Sequence, residues 1–527
     1  MVSTFHGIET AKRSLNTQTV ALNTTGHNIS NANTEGYSRQ IVKMQASLPM
    51  EAYGFLRSTA AGQMGTGVEF NSIERVRQSY LDDQYRNENS NYGSWSVRFD
   101  TLQKLETLMN EPSDTGLRKV LDNFWSAWSD LSQDPENITN RKIVSETTKA
   151  LTDAMNQMST QLDALTSDLT TSISLKASES NSLLQTVADL NNSITKLEGL
   201  GDNPNDLRDQ RDLAIDKLSK IANVQVAQLS DGYQVTIGGQ LVVSGGEVTA
   251  TVSAESLKSA YDGGTLTGGE VYGLIMSKDK YVADYKSQMD QLASTLASGE
   301  VEITLPAGTV LPEGTVLNTG TNGTAVTYSN ANNNRTLTAD TKVTVKGING
   351  LLQLGYTVSG TTPETGLPLF TSKDGGAITA GNITLNPVIS NDPNKISTSM
   401  RVTGAGTANE KVVIGNNDMA LAMARLKIAK FDFGNALSTP GSVDDFFSSI
   451  VGQLGVQTQE AQRQTANAEQ LTEQVDLNRQ SISGVSLDEE MTDLIKFQHA
   501  YSAASRFMTS FDELLNKLIN GTGRVGL

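Results

Sequence analysis

Few residues in this chain have the types and spacing that catalysis requires. Gly521-Thr-Gly-Arg-Val-Gly526 matches the Gly-x-Gly-x-x-Gly pattern of dinucleotide-binding turns, but such a turn follows a strand and opens a helix. Here a predicted helix precedes the motif and the sequence ends one residue later, so we interpret the segment as a tail. Asp488-Glu489-Glu490 could act in acid chemistry or bind a cation, yet at a helix start these carboxylates more simply offset the helix dipole.

Nucleophiles and metal ligands are equally sparse. The three histidines, His6, His27 and His499, are far apart in sequence, and the chain contains no cysteine, which excludes disulfides and thiolate chemistry. Trp125 and Trp128 could line a sugar site, but they lie one helical turn apart, which favours core packing. We therefore predict a protein that is not an enzyme and has no cofactor and no metal site.

Composition narrows the range of partners. The chain has 41 Lys and Arg residues against 58 Asp and Glu residues, a net charge of −17, which argues against binding to nucleic acid or to an anionic membrane surface. The first residues lack the apolar core of a signal peptide, and no run of about 18 apolar residues predicts a membrane-spanning helix. These rules alone predict a cytoplasmic protein, although a dedicated export machine would leave no such mark.

The elements follow the order helices, strands, helices. Residues 136–198 contain neither Gly nor Pro and repeat apolar residues at helical spacing, whereas residues 231–410 are rich in Gly and in short β-prone runs such as Lys342–Lys346. We therefore predict a mainly α fold, an elongated helical bundle or coiled coil formed by both chain ends, with an all-β module inserted in the middle. The predicted division is terminal coiled-coil helices at 1–70 and 480–527, a helical body at 71–300 and 377–479 with a small β element near 224–253, and a surface-exposed inserted β module at 301–376.

Both ends of the chain carry amphipathic helix patterns. A helix is predicted from Leu487 to Asn520, opened by the capping-box sequence Ser486-Leu-Asp-Glu489, and an N-terminal helix is predicted to end before Gly26. The apolar stripes define a predicted assembly interface: Phe5, Ile8, Leu15 and Leu22, with Leu494, Phe497, Tyr501, Met508, Phe511, Leu515 and Leu518. Two interpretations remain open: the helices pair within one monomer, or they stay uncovered until they meet other subunits.

Four segments resemble those of bacterial flagellar rod, hook and hook-associated proteins. Thr25–Gln40 is similar to the N-terminal signature of that family, interpreted as a helix stop at Gly26 and an Asn-rich turn that tolerates left-handed backbone. Its signature residues are Gly26, Asn28, Asn31, Asn33, Gly36 and Tyr37. Gly484–Met491 and Phe497–Arg506 resemble the matching C-terminal signature, and Asn205–Asp212 resembles an internal helix start of the hook-associated members.

This resemblance implies a structural axial protein that joins the flagellar hook to the filament by self-assembly. The terminal helices would form the inner coiled-coil tube, and the chain would pass unfolded through the flagellar type III export pathway to an extracellular position. The implied partners are the hook protein, the second hook–filament junction protein, copies of the same chain in a ring, and an export chaperone at the C-terminal helix. Neither nucleic acid nor membrane insertion is expected.

Two alternatives belong to other classes. The inserted β module could carry a peptidase or glycosidase activity on the flagellar surface; a zinc-binding His/Glu motif is absent from the sequence, whereas a carboxylate pair remains possible. The chain could also be a coiled-coil adhesin. The paired terminal signatures argue against an adhesin.

Overall fold

The computed structural model describes residues 5–49, 65–109, 113, 116–319, 324–357, 363–434 and 439–521. The helices in chain order are α1 (His6–Ser30), α2 (Ser79–Met109), α3 (Leu117–Gln133), α4 (Ile138–Gly199), α5 (Asn205–Ile221), α6 (Ala254–Asp262), α7 (Gly269–Met276), α8 (Ala283–Ser298), α9 (Gly347–Leu352), α10 (Pro387–Asn391), α11 (Asp418–Arg425), α12 (Val443–Ser483) and α13 (Leu487–Gly521). A π-helical turn, Ser277–Val282, joins α7 to α8.

The strands are short and all pair antiparallel. They are β1 (Gln40–Ala46), β2 (Val68–Arg75), β3 (Val224–Leu229), β4 (Gly232–Ile237), β5 (Gln240–Ser244), β6 (Glu247–Val248), β7 (Glu300–Leu305), β8 (Thr315–Leu317), β9 (Val326–Tyr328), β10 (Thr341–Lys346), β11 (Tyr356–Thr357), β12 (Glu364–Thr365), β13 (Phe370–Ser372), β14 (Ile383–Leu385), β15 (Val402–Thr403) and β16 (Lys411–Val412). The predicted fold class is confirmed in that the chain is mainly helical, with long helices at both ends and a strand-rich region in the middle.

The chain divides into two compact units whose boundaries differ from the predicted ones. Unit 1 comprises Met1–Trp95, Ile173–Gly273 and Gln464–Leu527, and unit 2 comprises Ser96–Ser172 and Leu274–Arg463. The long helices α2, α4 and α12 each contribute residues to both units, so Gly and Pro content does not mark the boundaries.

Unit 1 contains both terminal helices and two small sheets. β1 lies in the segment predicted to be only coiled coil and pairs with β2, which crosses the predicted boundary at residue 70. β2 is tied to α1 because the Thr17 hydroxyl donates to the Val68 carbonyl at 3.3 Å. The four-stranded sheet β3-β4-β5-β6 lies against α4, where the buried Asn191 amide donates to the Gly245 carbonyl at 2.7 Å. Helix α1 also continues through Gly26 to Ser30, so the predicted stop at Gly26 is wrong.

Unit 2 has a core that includes much of the segment predicted to be a separate β module. Val301, Leu305 and Ile348 are fully buried, and β13 pairs with β14 across the predicted boundary at residue 376. The Tyr356 amide also donates to the Ser399 carbonyl at 2.8 Å. Residues 301–376 are therefore an integral part of unit 2 rather than a surface-exposed insertion. They contribute buried side chains to its core, and they pair with residues beyond position 376.

Helix α4 uses many of its hydroxyl groups internally. In a series of residues, each Ser or Thr hydroxyl donates to the backbone carbonyl four positions earlier: Thr147, Thr148, Thr160, Thr166, Thr170, Thr171, Ser172, Ser178, Ser180, Thr186 and Ser193. These side chains are thereby satisfied without any neighbouring element. Among the described residues, we find no helix that is both long and apolar enough to span a membrane.

Candidate functional site

The two terminal helices pair with each other in unit 1. Gly7 near the start of α1 faces Phe511 near the end of α13, and Asn28 near the end of α1 bonds to Glu490 near the start of α13, so the helices run antiparallel. A Cβ atom placed on Gly7 would overlap the Phe511 ring. Close approach of the two helices therefore requires a very small residue at position 7.

The face of α1 that is buried differs from the predicted stripe. Its fully buried residues at recurring intervals of three, four and seven are small or polar: Gly7, Ala11, Gln18, Ala21, Thr25 and Asn28. The predicted Phe5 is exposed, whereas Ile8, Leu15 and Leu22 are half-buried. The face of α1 buried in the monomer is therefore not the predicted apolar stripe, because Phe511 of α13 leaves room only for a small residue on α1. The stripe of Phe5, Ile8, Leu15 and Leu22 stays a prediction of the assembly interface.

The predicted stripe on α13 is only partly covered in the monomer. Leu494, Phe497, Met508, Phe511 and Leu515 are half-buried. Tyr501 and Leu518 are exposed at 41% and 54%. A further row of exposed apolar residues consists of Phe507, Leu514 and Leu518. Glu490 and Ala504 are the fully buried residues of α13, so among the described residues most of this amphipathic helix is at best partly covered.

The N-terminal signature forms a hydrogen-bonded connection to the C-terminal helix through Asn28. The Asn28 amide donates to the Gln40 carbonyl at 2.9 Å and to the Glu490 carboxylate at 3.0 Å. Its oxygen accepts from the Gln40 amide at 3.0 Å and from the Tyr37 hydroxyl at 2.8 Å. Asn28 is 1% exposed, so these four bonds satisfy a side chain that water barely reaches.

Arg39 joins the same two segments by charge. Its guanidinium donates to Glu490 and to Glu489, each at 2.7 Å, and its backbone amide donates to the Ser483 carbonyl at 2.8 Å. Glu490 is 2% exposed, so its carboxylate depends on Asn28 and Arg39 for solvation. We call Asn28, Tyr37, Arg39, Gln40 and Glu490 the clasp.

The other signature residues shape the turn rather than bond across it. Gly36 has a left-handed backbone, with φ of 78°, as the predicted turn requires. The turn's asparagines have negative φ, so Gly36 supplies the left-handed backbone of this turn. Asn31 is half-buried, Asn33 is exposed, and Gly26 lies inside α1 with no atom within 4 Å of the place where a Cβ would be.

The internal segment at residues 205–212 meets the clasp from the other side. Helix α5 begins at Asn205, whose amide donates to the Gln40 side-chain oxygen at 3.1 Å, and Gln40 in turn donates to Asp206 at 2.7 Å. The Ser38 amide donates to the Asp209 carboxylate at 3.0 Å. All four segments that carry the family resemblance therefore lie in unit 1.

Beside the clasp lies a group of buried charges that we call the ion cluster. It consists of Arg75, Arg77, Arg86 and Arg479 with Asp82, Asp209, Asp212 and Asp216, all with side chains less than a fifth exposed. The shortest contact is Arg479 to Asp216 at 2.6 Å, followed at 2.8 Å by Arg75 to Asp209, Arg77 to Asp82 and Arg86 to Asp216. Mutually compensating charges thus hold together β2, α2, α5 and α12. Removal of one partner of a buried pair would leave the other charge without compensation, which is destabilising.

Two carboxylates of this cluster have pKa values that shift in opposite directions. Burial raises the pKa of Asp209, and Arg75 offsets that effect only in part. Burial would also raise the pKa of Asp212, but the guanidinium groups of Arg77, Arg75 and Arg86 outweigh it, so the pKa of Asp212 is lowered. In the clasp, burial and nearby carboxylates raise the pKa of the Tyr37 phenol, which keeps it protonated as the donor to Asn28.

The residues with possible chemical roles have structural contacts. Glu489 and Glu490 form ion pairs with Arg39, which lies in the N-terminal signature. His27 lies 3.2 Å from Asp206, and Trp125 and Trp128 are buried beside Phe124. Residues 522–526 of the glycine motif lie outside the described residues. Within the part of the chain that the structure describes, no group of three or more potential ligands could hold a metal ion.

Sequence reasoning missed the ion cluster and the roles of Arg39, Gln40 and Glu490. Some signal was present: Asp209, Asp212 and Asp216 recur at three and four residues, which places three carboxylates on one face of α5. Arg75 and Arg77 lie two residues apart at the end of a strand, so both point to the same side. A contact between these two rows of opposite charge could have been predicted from the sequence.

Comparison with known proteins agrees with these signature segments. The profile described as flagella basal body rod protein matches residues 8–37, and that described as flagellar basal body rod FlgEFG protein C-terminal matches residues 469–521. The profile of the flagellar hook-associated protein FlgK helical domain matches residues 102–300. The chain is thus a structural component of the bacterial flagellum, of the class that includes rod and hook proteins.

Full-length relatives identify the family. Flagellar hook-associated protein 1 of Bacillus subtilis (strain 168) is 34% identical over 538 aligned residues, which cover 99% of each chain. Its counterpart in Escherichia coli (strain K12) is 25% identical over 566 residues, covering 97% of this chain and 99% of the relative. The chain belongs to the flagellar hook-associated protein 1 family, FlgK.

A solved structure supports the same fold. The flagellar hook junction protein FlgK from Burkholderia pseudomallei superposes with a TM-score of 0.52 at 15% identity, covering 76% of this chain and all of that one. At this identity the likeness concerns the fold alone.

Proposed function

We propose that this protein joins the flagellar hook to the filament as a self-assembling axial subunit, without catalytic activity. Its partners are the hook protein, the second hook–filament junction protein, copies of itself in a ring, and an export chaperone that covers the C-terminal helix. It reaches an extracellular position through the flagellar type III pathway. The names of the relatives and the family profiles at both chain ends support this proposal.

The observation that carries the proposal is the uncovered apolar surface of α13. Leu514 is 61% exposed, Phe507 44% and Tyr501 41%, although the helix is amphipathic and pairs with α1 along its other side. Fully burying a large apolar side chain contributes roughly 1.5–3 kcal/mol, so covering the exposed part of each of these side chains would contribute about half of that. Neighbouring subunits, or a chaperone before assembly, supply that cover.

The two interpretations of the chain ends thus combine. α1 and α13 pair within the monomer, and the surface of α13 that remains is the one we assign to assembly. Phe511 is an ambiguous test position because it already contacts Gly7, so its substitution would also loosen the monomer. Leu514 and Leu518 are better positions, since both are more than half exposed.

The test is Leu514→Asp in a strain that lacks the native protein. A charge at this position would be buried without a partner in the assembled tube, which is costly, but would remain in water in the monomer. We expect normal secretion of Leu514→Asp, monomer circular dichroism like that of the unsubstituted protein, and no filaments by electron microscopy.

The matched control is Asn516→Asp, which adds the same charge two residues away at another exposed position of α13. It should form filaments. Leu518→Asp, one turn beyond Leu514, should behave like Leu514→Asp. If Leu514→Asp and Leu518→Asp both form filaments as well as the control, α13 is not the assembly surface and the proposal is wrong.

A further inference from the structure

The ion cluster of unit 1 is assembled from distant parts of the chain. Seven of its eight members lie between residues 75 and 216, and Arg479 alone comes from the segment after residue 463. The Arg479 guanidinium donates to Asp216 at 2.6 Å and lies 3.7 Å from Asp82. It also stacks over the Tyr85 ring, 4.0 Å from the ring centre.

Charge balance depends on this one residue. The four Arg and four Asp of the cluster balance one another, whereas without Arg479 three Arg face four Asp, a net charge of 3 − 4 = −1. Arg479 also binds the more exposed Asp476 of its own helix at 2.8 Å. Asp216 and Asp82 have side chains only 8% exposed, so water cannot readily replace the missing guanidinium. A buried charge left without a partner is strongly destabilising.

We propose that Arg479 is a closing residue for unit 1: helix α5 and strand β2 reach their stable packing only when the C-terminal segment docks and inserts this guanidinium. The turn of the N-terminal signature also packs stably only in the complete cluster, because the Ser38 amide donates to Asp209 of that cluster. The Ser483 carbonyl, one turn after Arg479 on α12, accepts from the Arg39 amide at 2.8 Å. Docking of one segment therefore completes the ion cluster and the clasp together.

The charges of the cluster thus set the order in which parts of unit 1 fold. Residues 1–463 contain most of unit 1 but carry a cluster with one uncompensated carboxylate, so that part of the chain alone remains open at α5. The C-terminal segment supplies both the missing cation and helix α13. Unit 1 and the α1–α13 pair consequently form in a single step.

The experiment is hydrogen exchange on the purified full-length monomer carrying Arg479→Gln. We expect the amides of α5 and β2 to exchange about 30-fold faster or more, because one buried pair is broken. The amides of α8 in unit 2 should be unchanged. Arg463→Gln is the matched control: this exposed arginine lies on the same helix and pairs locally with Glu460, so it should leave α5 unaffected.

A double variant separates charge balance from packing. Arg479→Gln with Asp216→Asn leaves three Arg and three Asp, and should recover protection of α5 to within about 5-fold of the unsubstituted protein. If Arg479 acted only by packing on Tyr85, the double variant would exchange as fast as Arg479→Gln, and the proposal would be overturned. Unchanged exchange in Arg479→Gln, or equal acceleration in α8, would overturn it as well.

Discussion

Replacement of Asn28 by Ala offers a sharp test of the clasp. The substitution removes four hydrogen bonds of 2.8–3.0 Å from a side chain that is 1% exposed. It leaves the amide and carbonyl of Gln40 and one side of the Glu490 carboxylate without those partners. Unsatisfied buried groups cost about 1–3 kcal/mol each, and relaxation with entry of water offsets part of that, so we expect a loss of roughly 2–4 kcal/mol.

Hydrogen exchange on the full-length monomer measures this loss locally. A change of 2–4 kcal/mol corresponds to roughly 30- to 1,000-fold faster exchange at the end of α1 and the start of α13. Amides of α8 in unit 2 serve as the internal reference. Asn33→Ala is the matched control, since Asn33 belongs to the same signature but is exposed, and it should change exchange little.

Asn28→Asp distinguishes hydrogen bonding from shape. It preserves the volume of the side chain but places a second carboxylate next to Glu490, where the Asn28 amide now donates at 3.0 Å. We expect it to be at least as disruptive as Asn28→Ala. Equal protection in Asn28→Ala and Asn33→Ala would refute the clasp as the link between the chain ends.

Three further predictions concern unit 1. Exchange along α13 should become faster from Glu490 towards the C-terminus, because little of the helix is covered; uniform protection of α13 in a proven monomer would contradict this. Asp212→Asn should lower the urea midpoint of unit 1 more than Asp209→Asn at pH 7. The lowered pKa of Asp212 gives stability that is present above its unfolded pKa and lost as pH falls through its folded pKa, so the difference should shrink below about pH 4. Gly26→Ala should stabilise α1 by about 0.5–1 kcal/mol, whereas Gly93→Ala should destabilise unit 1 in the same urea titration, since its Cβ would overlap the Lys220 carbonyl; the reverse order would contradict the described packing.

The C-terminal helix was predictable because its signal is local. Large apolar residues at recurring intervals of three and four define α13, and its predicted start at Leu487 is confirmed by the structure. The matching face of α1 was not predictable by the same rule. Where two helices approach closely, the contact selects small residues such as Gly7 and Ala11, and a search for large apolar residues then follows the wrong side of the helix.

The contacts of the clasp and the ion cluster could not be predicted from local sequence patterns, because their residues lie far apart in the chain. Asn28 and Glu490 are 462 residues apart, and no spacing rule connects them, although both lie in segments that carry the family resemblance. The middle of the chain shows a related limit. Turn signals predicted its strands, but the pairing of β13 with β14 across residue 376 depends on which strands meet in three dimensions.

The hydroxyl groups of α4 have a mechanical consequence. Thr166, Thr170, Ser180 and others donate to their own helix, whereas Asn181 and Asn191 of the same 62-residue helix donate to the Val252 and Gly245 carbonyls. The hydroxyl bonds stay within the helix whatever lies beside it, so they support its length without a neighbour. The asparagine bonds fix the position of the segments that pack on the helix.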